Sequence, residues 1–192
     1  LLAALLLTVS HALFKTTLFL GAGAIQHATG ETNLDRLGGL LRRMPWTATT
    51  FGVAALAAAA LPVTSGFVAE WTLLQSLIHG SRVGGISVAV AVSVAMPLGV
   101  AVVALTAGLA LLTFVKAYGI AFLARPRAAE AAAAVEIPGS MRVSLVAGAA
   151  LSTAVASQPS MTGRLKSMRI KAGASLFAMA IPCSPSFADT TS

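Results

Sequence analysis

Four long apolar runs separated by short polar segments make up most of the chain. They cover residues 1–28, 46–79, 86–124 and 143–157. A helix that crosses the hydrocarbon core of a bilayer needs about 20 mainly apolar residues. The pattern therefore predicts an all-α polytopic transmembrane helix bundle of about three to four spans, because the fourth run is short for a crossing.

The second and third runs contain residues that interrupt helices. The run 46–79 is too long for one regular crossing, and it carries the sequence Leu-Pro-Val-Thr-Ser-Gly at 61–66. Pro62 lacks a backbone N–H donor and Gly66 relaxes the backbone, so we predict a broken helix here. Pro97 predicts a kink in the third run.

The polar segments predict an orientation. Segments 29–45 and 125–142 lie on one side of the predicted bundle, and the short loop 80–85 on the other side carries only Arg82. Six arginines lie on the first side: Arg36, Arg42, Arg43, Arg125, Arg127 and Arg142. This excess places the first side in the cytoplasm, and we expect a multi-pass protein of a bacterial or archaeal cytoplasmic (inner) membrane.

Composition agrees with a membrane protein. Of 192 residues, 57% are hydrophobic and 10% are charged, whereas a soluble domain carries about 25% charged residues. A single cysteine, Cys183, excludes a disulfide scaffold. Of the net charge of +7, residues 158–192 contribute +3 and most of the rest lies in short loops, which argues against a nucleic-acid partner.

Two stretches differ from the transmembrane pattern. The Ala-rich stretch 128–134 within the linker predicts a surface helix or a loose linker. Residues 158–192 are first basic, then apolar, then rich in Ser, Thr and Pro, which predicts an atypical tail of low order. Because the chain starts at Leu1 inside an apolar run, we expect it to be a fragment of a longer protein.

Lys15 and His11 are the first candidates for chemistry. A lysine at mid-membrane costs about 2.5–3.5 kcal/mol, and intramembrane charges generally have a function. His11 lies one helical turn earlier on the same face, and such a pair can pass a proton. The alternative is that a carbonyl or carboxylate of a neighbouring helix satisfies Lys15 without any transport role.

Glu70 and Lys116 are the other candidates. Glu70 follows the predicted helix break by one turn, where a carboxylate can accept a proton or pair with a lysine; the alternative is exposure to the lipid headgroups. Lys116 is near enough to the end of its run for its side chain to reach the interface. His27 and His79 lie at span ends and are interpreted as interfacial.

The chain has no pattern typical of a redox cofactor. It lacks a cysteine cluster for an iron–sulfur centre and the motif for covalent haem attachment. Gly21-x-Gly23 lies in an apolar helix with no preceding strand, so it does not indicate a dinucleotide site. We expect no metal or cofactor in this chain.

Four ordered segments resemble one family. Residues 11–23 resemble the segment HAxFKxxLFLxxG, residues 38–45 the loop GGLxRRMP, residues 61–71 the broken helix LPPxxGFxSEW, and residues 114–119 the element FVKAFG. These motifs belong to the antiporter-like proton-translocating subunits of complex I and related enzymes. The details are most similar to the large membrane subunit of hydrogenase-4 and formate hydrogenlyase.

The resemblance covers about residues 1–147. It implies a bundle of about fourteen helices with two inverted five-helix repeats, of which this chain would match roughly the last four helices. It places Lys15 in a central hydrophilic axis, His11 beside it, and Glu70 at the outward end of the proton path; Lys116 is less clearly assigned. Iron–sulfur, nickel–iron or flavin centres are then expected only in partner subunits.

The sequence departs from the family pattern in two places. Val63 stands where the family has a second proline, and from about Leu151 the chain no longer resembles the family. A frameshift or a chimeric junction would produce the second departure. The family's first carboxylate–lysine pair and its central lysine are expected upstream of this chain, so the chain by itself is expected to pump nothing.

Three functional hypotheses remain at this level. The first is a proton-relaying part of a redox-driven complex, with other membrane and hydrophilic subunits as partners. The second is a subunit of a secondary cation/proton antiporter, driven by an ion gradient. The third is a truncated fragment or membrane scaffold with no transport activity, in which Lys15 and Glu70 could be replaced without effect.

Overall fold

The computed structural model describes residues 1–80, 86–123 and 125–157, and every regular element in that part is helical. The all-α fold class is therefore confirmed. The predictions for Arg82, for Cys183 and for the tail 158–192 concern residues outside the described part.

The five long helices are α1 (Leu2–Thr29), α3 (Pro45–Ala58), α4 (Ser65–Gly80), α5 (Ile86–Tyr118) and α7 (Gly139–Ala156), with short α2 (Leu40–Arg43) and α6 (Ala129–Ala132) between them.

Three stretches of the described residues are long and apolar enough to cross a bilayer: Leu2–Thr29, Val94–Leu123 and Gly139–Ala156. Helices α3 and α4 are each too short, and together they form the interrupted crossing. Helix α7 starts four residues before the predicted run, so it reaches a length of 18 residues. The chain is an integral multi-pass membrane protein.

Helix α1 is central to the packing. It contacts α3, α4 and α7, and α7 in turn contacts α3 and α4. Helix α5 packs on α3 and α4 but leaves most of its large aliphatic side chains exposed. An exposed apolar helix of this kind is expected where lipid tails or further transmembrane helices replace water.

The interruption between α3 and α4 starts earlier than Pro62. Helix α3 ends at Ala58, and Ala60 adopts a left-handed conformation with φ 50°. The amide of Leu61 donates to the carbonyl of Leu56 and that of Ala60 to Ala57, which is the Schellman pattern that closes a helix. The helix thus stops before the proline is reached.

Val63 is also left-handed, with φ 78°. A β-branched residue is strained in this region. Proline could not adopt this conformation, because its ring holds φ near −65°. The departure of Val63 from the family motif is therefore matched by a local backbone conformation that the motif's proline would exclude.

Gly66 has a different role from the one predicted. It lies inside the first turn of α4 rather than in the break, and a Cβ at this position would collide with the carbonyl oxygen of Ala57. The glycine therefore permits the close approach of α4 to the end of α3. Backbone relaxation is not what the fold requires of it.

Gly66→Ala is expected to destabilise the fold by about 1–3 kcal/mol, because backbone must move to admit the methyl group. The measurement is the thermal midpoint of the purified protein in detergent. The control is Gly23→Ala, since a Cβ on Gly23 meets nothing within 4 Å and alanine favours helix. Equal midpoints for the two variants would contradict the close-approach role.

The third crossing ends in an irregular turn. Helix α5 continues through Pro97, and the kink predicted at this residue stays a prediction. After Tyr118 the chain forms a π-helical turn at Gly119–Leu123, whose Ala121 and Phe122 are buried. Tyr118 packs its ring on Phe122 at a centroid distance of 4.8 Å.

The two polar segments meet at one end of the bundle. A guanidinium nitrogen of Arg127 donates to the carbonyl of Leu37 at 3.4 Å, and Gly38 lies against the carbonyl of Arg125. The segments 29–45 and 125–142 therefore lie on the same side, as their sequence predicts. That this side is cytoplasmic stays a prediction.

The linker before α7 is packed rather than loose. Only Ala129–Ala132 is helical in the stretch predicted as a surface helix or loose linker, and Ala131 and Ala134 are buried in the core beside Leu40 and Met44. The short helix agrees with the first of the two predicted alternatives, whereas the burial of Ala131 and Ala134 was not predicted, because alanine is too small to reveal from sequence whether it faces solvent or a neighbouring helix.

Glu136 ties this linker to the start of α3. Its carboxylate accepts a hydrogen bond from the amide of Trp46 at 2.8 Å and another from the hydroxyl of Thr47 at 2.7 Å. A carboxylate at a helix N-terminus satisfies free amides and interacts favourably with the helix dipole. The first half of the broken crossing is thus capped by a residue 90 positions away along the chain.

Glu31 organises the loop after α1. Hydrogen bonds from the backbone amides of Asn33 and Thr32, both 3.0 Å, together with Arg36 at 2.9 Å, hold the pKa of Glu31 below its usual value. The bond from Asn33 contributes most. The carboxylate therefore stays ionised at neutral pH and keeps the loop compact.

Candidate functional site

Three of the four predicted relay residues line one cavity. His11 and Lys15 of α1 and Glu70 of α4 border a space of about 540 Å³, which Thr106 and Phe114 of α5 also line. The sequence predicted the residues, and the structure brings them together from two helices. The fourth residue, Lys116, does not line this cavity.

Phe14 lies on the buried face of α1, next to the residues that border the cavity. It packs against Ala54 and Ala57 of α3. The ring of His11 meets the ring of Phe14 edge-on at 5.2 Å. Lys15 follows His11 by one helical turn, and both side chains are exposed at the open edge of the cavity.

The alternative to a transport role is that a group of a neighbouring helix satisfies Lys15, and it requires such a group beside the ammonium. In the described part of the chain, no carboxylate forms an ion pair with Lys15. Its charge therefore has no compensating carboxylate within this portion of the bundle.

Glu70 is half-buried on the opposite wall. It lies in the second turn of α4, just past the break. The two threonine hydroxyls at the cavity, Thr8 and Thr106, donate to carbonyls of their own helices at 2.9 and 2.8 Å. The groups that can exchange protons in this cavity are thus the imidazole, the ammonium and the carboxylate.

The start of α4 is anchored by a contact that sequence reasoning missed. The hydroxyls of Ser65 and Ser152 lie 3.1 Å apart, and both residues are buried. Ser152 belongs to α7, near its C-terminal end. A buried hydroxyl pair in a membrane helix contributes roughly 0.6–1.7 kcal/mol, so it helps to hold the helix that carries Glu70.

A second buried serine lies on α1. The hydroxyl of Ser10 has no hydrogen-bond partner among the described residues, although the residue is fully buried. Thr17, on the same helix, donates to the carbonyl of Leu13 at 2.9 Å. Serine and threonine are poor sequence signals in membrane helices, since most of them bond to their own backbone.

The remaining ionisable candidates lie elsewhere. Lys116 is exposed on α5, and His27 is exposed in the last turn of α1. The side chain of His79 lies outside the described part. Across residues 1–80, 86–123 and 125–157, no three side chains of His, Cys, Asp or Glu come close enough to hold a metal ion.

The chain matches a family of membrane transport subunits. The family model described as "NADH:quinone oxidoreductase/Mrp antiporter, TM" matches residues 1–99. Hydrogenase-4 component B of Escherichia coli (strain K12) is 44% identical over 156 residues, which is 81% of this chain and 23% of that protein. Formate hydrogenlyase subunit 3 of the same organism is 39% identical over 139 residues, 72% of this chain and 22% of that protein.

Two further comparisons bear on the fold and on the length. An uncharacterized protein of Mycobacterium tuberculosis (strain ATCC 25618 / H37Rv) is 52% identical over 156 residues, 80% of this chain and 24% of that protein. The Mrp complex from Dietzia sp. DQ12-45-1b has a similar fold, with a TM-score of 0.65 at 21% identity over 85% of this chain and 35% of that chain. The chain spans about a quarter of the length of these curated relatives.

Proposed function

Because the chain belongs to the NADH:quinone oxidoreductase/Mrp antiporter transmembrane family, we propose that it is part of a proton-translocating membrane subunit of a redox-driven complex. The membership inferred from the four sequence motifs is thereby confirmed. The complex we propose is of the hydrogenase-4, formate hydrogenlyase or NADH:quinone oxidoreductase type. The observation that carries the proposal is the shared cavity of His11, Lys15 and Glu70.

The proposed relay uses the chemistry of these three groups. Imidazole both accepts and donates a proton near neutral pH, and an amine and a carboxylate can likewise act as proton donor and acceptor. A proton that enters beside His11 can move to Lys15 on the same helix face and then cross to Glu70 on α4. Lys116 lies outside this path.

The cavity is open on one side of this chain. A lysine at mid-span cannot face hydrocarbon without a large cost in free energy. We therefore propose that other helices of the parent subunit cover Lys15 and His11, leaving a water-filled passage between them. Water in that passage would connect groups that are not in direct contact.

The energy source is proposed to lie outside this chain. Electron transfer in partner subunits, which would hold the iron–sulfur, nickel–iron or flavin centres, drives the charge changes in the polar axis. The partners we propose are other membrane subunits and hydrophilic subunits of a respiratory or hydrogenase complex. The proposed location is the cytoplasmic (inner) membrane.

A secondary cation/proton antiporter is the second candidate. One of the Na(+)/H(+) antiporter subunits of Alkalihalophilus pseudofirmus is 44% identical over 64 residues, 33% of this chain and 13% of that protein. The similarity to the hydrogenase-4 relative extends over more than twice that length. We therefore favour the redox-driven complex.

The test is a transport measurement on the parent complex reconstituted in vesicles with an internal pH dye. Acidification that starts with addition of the electron donor and proceeds without sodium supports the proposal. Acidification driven by a sodium or potassium gradient in the absence of electron transfer would indicate the antiporter instead. An assembled complex that moves no protons under either condition would leave only the scaffold interpretation.

A further inference from the structure

A second cavity lies at the end of the bundle where the two polar segments meet. It has a volume of about 530 Å³ and lies between α2 and the π-helical turn that ends the third crossing. Its polar wall contains Arg42, Arg43 and Arg125, and its apolar wall contains Leu41, Phe122 and Leu123. It is separate from the cavity of the proposed relay.

The three arginines of this cavity differ from the other arginines at the same end. Arg36 pairs with Glu31 at 2.9 Å. Arg127 donates to a backbone carbonyl at 3.4 Å, and Arg142 donates to one at 3.2 Å. Within the described ranges, Arg42, Arg43 and Arg125 form neither an ion pair nor a side-chain hydrogen bond.

The role of basic residues in setting membrane orientation does not explain why these three arginines line one cavity. An excess of arginine on one side of a membrane needs no particular geometry, because it acts during insertion. Here three arginine residues from two segments far apart in the sequence line the same space. Their like charges repel one another, and an anion bound between them would interact favourably with all three.

The apolar wall indicates what kind of anion fits. Leu123 is 62% exposed and continues the exposed aliphatic surface of α5. The candidate span Val94–Leu123 ends at the cavity, so the arginines lie at the depth expected for lipid headgroups. A ligand with a charged head and an apolar body would satisfy both walls at once.

We propose that this cavity binds the phosphate headgroup of an anionic phospholipid, with an acyl chain lying along the exposed face of α5. Arginine forms paired hydrogen bonds with phosphate oxygens, and basic pockets near the cytoplasmic ends of transmembrane helices are suited to such headgroups. Leu41 and Leu123 contact the glycerol and the first methylene groups. Free inorganic phosphate would satisfy the arginines but leave the apolar wall exposed.

The experiment uses the purified parent complex, delipidated and titrated with phosphatidylglycerol, phosphatidylcholine or inorganic phosphate while native mass spectra record bound ligand. The complex should retain phosphatidylglycerol selectively over phosphatidylcholine. A triple variant, Arg42→Gln with Arg43→Gln and Arg125→Gln, should weaken that binding by about tenfold to a hundredfold. Arg36→Gln is the matched control, because Arg36 already has a protein partner.

Three results would overturn the proposal. One is equal binding of phosphatidylglycerol by the triple variant and the control. Another is competition by inorganic phosphate at similar concentration, which would identify a free-anion site. The third is loss of a partner subunit from the triple variant with lipid binding unchanged, which would identify an acidic protein segment as the occupant.

A second measurement tests the proposal without a variant, in case the triple variant fails to assemble. A photoactivatable phosphatidylglycerol is added to the unmodified parent complex, and the labelled peptides are mapped. Labels on residues 41–43 or 122–126 are expected. Labels confined to other peptides would contradict the proposal without the need for any variant.

Discussion

Replacing Lys15 with alanine in the parent complex is expected to lower proton translocation by about tenfold or more, while electron transfer and assembly persist. The reason is that the methyl group of alanine cannot take up or release a proton. A positioned acid–base group typically contributes a factor of about a hundred or more to the rate of a proton-transfer step. The fold should tolerate the change because Lys15 borders the cavity and is not packed in the core of this chain. The measurement is redox-driven acidification of vesicles containing the variant.

Lys116→Ala provides the comparison. It removes the same side chain from an exposed position on α5 that does not line the relay cavity. We expect this variant to retain most of the transport. Undiminished pumping by Lys15→Ala would remove Lys15 from the path, and equal losses in both variants would show that the loss of any membrane lysine disturbs the complex.

Glu70→Gln is expected to impair pumping to a similar degree. The amide has nearly the shape of the carboxylic acid, so the packing of α4 is preserved, but it cannot take up and release a proton at this position. Glu70→Asp keeps the ionisable group on a shorter side chain and should restore part of the rate. The number of protons moved per electron, measured in the same vesicles, separates this effect from slower electron transfer.

Glu31→Gln is the matched control for Glu70. Glu31 lies in the loop after α1 and pairs with Arg36 at 2.9 Å, away from the relay cavity. Its loss should leave the ratio of protons to electrons unchanged. A normal ratio in Glu70→Gln would return Glu70 to the interfacial role that the sequence left open.

The sequence predicted the spans and the interruption well because both depend on local properties. Length and hydropathy define a transmembrane run irrespective of its neighbours, and an apolar run as long as 46–79 with an internal proline cannot be one straight crossing. The residue at which α3 ends could not be predicted from length, hydropathy or the position of the proline. Ala60 adopts the left-handed conformation that closes the helix, and alanine carries no sequence signal for it.

For the candidate site, too, the sequence predicts what depends on local spacing and does not predict what depends on packing between helices. His11 and Lys15 share a helix face by their spacing alone, so their pairing follows from the sequence. Their meeting with Glu70 depends on how α1 packs against α4, which involves Phe14 and the buried pair Ser65–Ser152. Sequence patterns do not report such contacts, since the hydroxyls concerned look like any others in a membrane helix.

The sequence by itself determined that this is an α-helical membrane protein, which stretches of the chain are apolar enough to form membrane helices, and which ionisable side chains lie within them. These follow from the cost of placing polar groups in hydrocarbon, which acts on each residue separately. Only the tertiary structure decided which residues converge: the relay cavity, the cap that Glu136 provides for α3, and the three arginines beside Leu123. Convergence depends on packing between residues far apart in the chain, and the many weak contacts that determine it leave no periodic pattern in the sequence.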